Sequence, residues 1–268
     1  EAMQDAFPDY PLPYVFEKYE LPSSFMLNEG DDILELLSCL AFFFLTWVMQ
    51  KIIFYLRNIP MARPVIVKAR FFFQNYLVSK FYEILGDIAF ASVLQFSRLT
   101  FENKYAWISF FACVGCMALG LALLIGNMWI VYQYQKKKKS HANAEEETKK
   151  KALEKFSEKF EGVEVLFNDF DDRSFLHQAA LVFFAGRNIV FCLIIALLYE
   201  RPVFQAAILL ILDSCLVAYY LFKRSIKSKL DYAEQLSYEL ILLIVNVCFL
   251  IVAIADSIDA STPQLVKN

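Results

Sequence analysis

Two charged side chains stand inside runs that are otherwise hydrocarbon, and they are the first candidates for chemistry in this chain. Arg187 lies in LHQAALVFFAGRNIVFCLIIALLYE and Asp213 in VFQAAILLILDSCLVAYYLFK, with only Glu200, Arg201 and Pro202 at the join. Each run is long enough to cross a hydrocarbon layer of about 30 Å as a helix, so the two must turn straight back on each other. Arg187 is thirteen positions before Glu200 and Asp213 thirteen after it. At a rise of about 1.5 Å per residue both sit about 20 Å from the turn, at one depth. A lone charge there costs about 2.5–3.5 kcal/mol on insertion scales, and opposite charges at one level offset each other. The spacing therefore predicts an intramembrane pair between Arg187 and Asp213.

Three further polar groups fall in apolar runs. Glu83 and Asp87 are one helical turn apart, so they repel and are expected to look inward, toward a partner helix or water. Asn246 sits in the middle of the last run. Together with the pair, these residues read either as a structural lock or as a polar path for a cation. Cys113-Val-Gly-Cys116 has the spacing of a redox or metal motif, but with no acid, histidine or second such pair beside it the two cysteines read as small core residues. All six cysteines lie in apolar runs and are expected to be free thiols. His141 and His177 are too sparse for a metal site, and no HExxH, GxSxG or paired-Asp motif is present. The sequence implies no enzyme, no metal and no cofactor.

The elements that must position these groups follow from composition. Hydrophobic residues make up 58% of the chain, including 27 Phe, and charged residues only 21%, far from the balance of a soluble domain. The expected fold is an all-α membrane protein, a bundle of about six spans with one amphipathic cytoplasmic helix. Residues 1–32 form an acidic, Pro-rich strap on the non-cytoplasmic side, with eight Asp or Glu against Lys18 alone. The first half, 33–134, holds spans at Ile33–Leu56, Phe81–Leu99 and Tyr105–Tyr134. Between the first two runs a basic elbow, 57–80, without a single acid; the positive-inside rule places it in the cytoplasm. Its Arg57, Arg63, Lys68 and Arg70, interleaved with apolar residues, suggest a segment lying against anionic lipid headgroups. In the third span Ala112, Cys116 and Gly120 make a small-residue face for close helix packing.

Residues 135–174 are the one long polar segment, with ten basic and ten acidic residues between 136 and 174. Leu153, Phe156, Phe160, Val163 and Phe167 fall on one stripe at helical spacing, which predicts a helix docked under the bundle. The second half, 175–257, carries the hairpin, the basic re-entry KRSIKSK and a last span near Leu236–Ala255; 258–268 is a tail. Six spans starting outside end outside, so both termini are expected on the non-cytoplasmic face of a plasma or other surface membrane. A mitochondrial inner membrane would show the same charge bias. The implied partners are the lipid bilayer, other membrane subunits and a covalently preceding ectodomain; nothing implies nucleic acid.

The segments FEGVEVLFNDFDDRSF, GRNIVFCLII, ERPVFQAAILLIL and KRSIKSKLDYAEQLSYE, with Arg187, Pro202, Gln205 and Glu239 as anchors, resemble the transient-receptor-potential-like (TRP-like) region that closes many large surface proteins of ciliates and other protists. Residues 160–257 carry the resemblance, which is similar in layout to fungal flavin-carrier and polycystin-like membrane domains. It implies a membrane domain placed after a large ectodomain, and it pulls the functional reading toward a channel-like role. The residues themselves favour an anchor or assembly subunit, with a cation channel or transporter as the alternative. No pore-helix stretch lies between the last two spans.

Overall fold

The computed structural model describes residues 12–56, 62–97, 99, 101, 104–142, 145–167 and 170–261. Among them, five helices are long and apolar enough to cross a membrane: Phe25–Ile52, Lys104–Ser140, Ala180–Leu197, Pro202–Lys223 and Lys229–Ile258. The protein is an all-α membrane protein.

A short helix, α1 (Tyr14–Lys18), precedes α2 (Phe25–Leu56). α2 starts eight residues before the expected span, absorbing Glu29, Asp31 and Asp32 of the strap. Its start is fixed from outside, because the Phe25 N–H donates to Gln95 Oε1 at 2.9 Å and Ser24 and Ser109 share a hydrogen bond of 3.0 Å. α3 (Ala62–Glu83) then runs back along α2. The expected surface elbow is thus a correction: most of 57–80 is helix, and it pairs with α2 through the Phe42–Phe73 stack and the Arg70–Gln50 hydrogen bond of 2.7 Å. The aromatic residues between its cations have a neighbouring helix to cover, which a segment flat on a membrane would not.

The expected second span is divided. α3 ends at Glu83, and α4 (Leu85–Ser97) is a 13-residue apolar helix about 20 Å long, joined to α3 through Ile84. α4 is the centre of the bundle, with Leu85, Ile88, Ala91 and Leu94 buried against α2, α5 (Lys104–Ser140) and α8 (Ala180–Leu197). Gly120 on α5 permits the close approach here, since a Cβ would lie 2.5 Å from Leu85 Cδ1 and force that buried side chain to shift. The small-residue face of α5 meets the α3–α4 join at that point.

α6 (Glu146–Lys159) and a 3-10 turn (Glu161–Leu166) carry the aromatic stripe. Phe156 and Phe167 are buried beside Tyr134 of α5, with ring centroids 5.5 and 5.9 Å away. The turn is fastened to α3 by Asn75, whose amide donates to Glu161 O at 2.8 Å. After α7 (Phe175–Gln178) and α8, the chain reverses over Leu198–Arg201 into α9 (Pro202–Lys223), with Pro202 in its first turn, where a missing N–H costs nothing. Arg224, in the left-handed region at φ 42°, ends α9, and α10 (Lys229–Ser261) packs antiparallel to it.

Candidate functional site

The hairpin of α8 and α9 brings Arg187 and Asp213 together. Arg187 Nε and Nη2 lie 3.1 and 3.0 Å from Asp213 Oδ1. A third helix completes the group, because Nη2 also reaches Glu239 Oε2 of α10 at 2.9 Å. Nη1 donates to Asn188 Oδ1 at 2.8 Å, and the guanidinium stands over the Phe191 ring. The Asn246 amide donates to Asp213 Oδ2, and Gln235 donates to Glu239 Oε1 at 2.9 Å. Asp213 and Glu239 are wholly buried, Asn246 is 3% exposed and Arg187 8%. One guanidinium fork thus holds two carboxylates on two other helices, a geometry that suits Arg and that an ammonium would not match. Counted as ionised groups, two acids face one cation, and the surplus negative charge is shared out over the Asn246 and Gln235 amides.

Glu239 was quoted above only as an anchor of a resemblance. A signal for its place was present. Ile226 lies thirteen positions after Asp213 and thirteen before Glu239, so the depth argument used for the first hairpin puts Glu239 level with Asp213 as well. Asn246 follows Glu239 by seven residues, two turns along the same face.

The other expected group is arranged differently. Glu83 and Asp87 are both exposed, which corrects the inward orientation expected for them. The Ile84 N–H still donates to Lys80 O and the Ile88 N–H to Ile84 O, so the helical path continues through the join and the two carboxylates share one outward face. Lys80 gathers the neighbouring acids at its own level: its ammonium is 3.7 Å from Asp32, 3.5 Å from Glu35 and 3.6 Å from Glu83. Asp87 lies within electrostatic reach of Asp32 and of Glu29. Glu29 is the outlier, 5% exposed, with its Oε2 fully buried and no hydrogen-bond partner among the described residues. By sequence it belongs to the strap, since it precedes the first apolar run.

The basic residues assigned to lipid divide as well. Arg57 lies outside the described residues, and Arg63 begins α3. Lys68 is exposed, while Arg70 turns to Gln50 of α2 and stacks on Phe71. At the end of α5 Lys138 pairs with Asp172 at 3.0 Å, and Tyr134 donates to the same carboxylate at 3.1 Å. Burial pushes the Asp172 carboxyl up, but the Lys138 ammonium outweighs it and holds the group below its ordinary value. Among the described residues no cluster of His, Cys, Asp and Glu has the arrangement of a metal site.

No family model matches the chain, and comparison with curated proteins and with solved structures finds no relative.

Proposed function

We propose that this chain is the membrane anchor and assembly domain of a larger surface protein or complex, a TRP-like region whose second half is locked by its own ions. The observation that carries the reading is the buried Arg187–Asp213–Glu239–Asn246 group. Its one cation is held by two carboxylates within one chain. A conducting site must bind its ion weakly enough to release it and must be reachable by water; a guanidinium already holding both carboxylates leaves no vacant ligand. Such a group instead fixes which faces of α8, α9 and α10 meet. In the cell an antibody to residues 145–159 should detect a polypeptide well above 31.1 kDa, or a stable complex on native gels. A free monomer of this size, in a surface membrane, overturns the proposal.

The alternative is a cation channel or transporter, and one observation favours it: the orphaned Glu29 carboxylate beside Asp32 and Asp87. Proteoliposomes holding the purified chain discriminate the two readings. Potassium or calcium flux above the lipid background, abolished by Glu29→Gln and Asp87→Asn, would replace the anchor by a path along α2 and α4.

A further inference from the structure

Beyond the ionic group, a cavity of about 460 Å³ lies among α8, α9 and α10, with Phe16 of α1, Leu21 and Phe90 of α4 also lining it, within the range of roughly 300–1,000 Å³ typical of small-molecule sites. Its mouth lies by Tyr199, Pro202 and Asp256, its floor is Asn246, and it is open along the side at Phe249 and Val252, which are 62% and 56% exposed. Those ends are ten residues apart on α10, so the cavity is about 15 Å deep. Ala206 and Ala253 face each other's helices there, and their small side chains leave the space open. The wall between the ends is hydrocarbon, with Phe191, Ile195, Leu209 and Phe249, so water gains few hydrogen bonds along it.

The polar groups of the lining are the Asn246 and Gln205 amides, the Tyr19 and Tyr199 hydroxyls and the Asp256 carboxylate. At the floor, one Asn246 N–H donates to Asp213; near the mouth, one Gln205 N–H donates to Ile195 O at 3.3 Å. Both amide oxygens are left without a hydrogen-bond partner among the described residues. Asp256 adds a carboxylate at the rim, and no Lys, Arg or His lines the space. The two amide oxygens can accept from a ligand, while an anionic head at the rim would meet the Asp256 carboxylate with no lining cation to offset it.

We infer that the cavity binds a neutral, rigid lipid with a hydrogen-bond donor at each end, the chemistry of a side-chain-hydroxylated sterol. The ring hydroxyl donates to Gln205 Oε1 or Asp256 at the mouth, the ring body lies on the hydrocarbon wall, and the tail hydroxyl donates to Asn246 Oδ1. Asn246 also holds Asp213, so occupancy stiffens the ionic group directly.

The test is competition binding on the full chain in phosphatidylcholine nanodiscs, using radiolabelled 25-hydroxycholesterol. The expected order of competitors is 25-hydroxycholesterol, then cholesterol, then 5-cholestene, each step weakening competition by roughly five- to tenfold for one hydrogen bond lost. Oleic acid should not compete. Ala253→Phe should abolish saturable binding, and Gln205→Leu should narrow the gap between cholesterol and 5-cholestene. Equal competition by all three sterols overturns the inference, as does displacement by oleic acid. If Ala253→Phe fails to fold, the competitor series on the native chain decides alone. Labelled sterol that shows no saturable binding also refutes it.

Discussion

Replacing Arg187 with methionine removes the cation shared by Asp213 and Glu239 while keeping an unbranched apolar stem. Asp213 Oδ1 then loses its contacts at 3.1 and 3.0 Å and Glu239 Oε2 its contact at 2.9 Å, while Asn246 and Gln235 still hold the other two oxygens. Interhelical hydrogen bonds inside membranes average about 0.6 kcal/mol and seldom exceed about 2. Stripping one partner from a buried ion pair costs more, about 3–5 kcal/mol, because a charge is left uncompensated. A loss above about 3 kcal/mol therefore reports charge, and one near 1 kcal/mol reports hydrogen bonding alone. The assay is reversible unfolding of the purified chain in bicelles by SDS titration. The triple variant Arg187→Met, Asp213→Leu, Glu239→Leu should recover most of the loss, since a buried ion cluster replaced whole by apolar residues is often neutral or better. A single variant within about 1 kcal/mol of the native chain refutes the lock, as does a triple variant no more stable than the single.

Asp213→Asn should cost less than Arg187→Met, because the Arg187–Glu239 contact survives and the surplus negative charge is removed; the same titration ranks them. Glu29→Gln should leave stability equal or higher, in place of the loss of about 1 kcal/mol usual for a substitution, since the carboxylate it removes has a buried oxygen with no partner; a clear fall in the unfolding midpoint would mean that Glu29 holds an ion. Gly120→Val should destabilise by about 1–3 kcal/mol through overpacking at Leu85, and Gly115→Val, with nothing within 4 Å, serves as its control. For Asp172, whose folded value is depressed, the stabilisation from Lys138 is present above the ordinary value of 3.8 and is lost as pH falls through the lower folded value. Hydrogen exchange around residues 172–178 should quicken in that acid range, and Asp172→Asn should abolish the pH dependence.

Depth along a helix is a one-dimensional quantity, and the sequence by itself determined it. The three-residue join before α9 makes the positions of Arg187 and Asp213 a matter of counting. The same count through Ile226 reaches Glu239. Hydropathy likewise determined the membrane class, and the stripe determined that Phe156 and Phe167 dock against Tyr134, although the helix expected over it ends at Lys159 and gives way to a 3-10 turn. Which helix stands beside which is not written in period or length. Only tertiary structure put the short α4 at the centre of the bundle and left Glu83 and Asp87 facing outward. It laid the basic elbow along α2, through the Phe42–Phe73 stack and the Arg70–Gln50 hydrogen bond. It also left one oxygen of the buried Glu29 without a hydrogen-bond partner among the described residues. Arg187 illustrates both halves. Its level in the membrane follows from the chain, but its second carboxylate, from a helix 52 residues away, required α10 to fold back against α9.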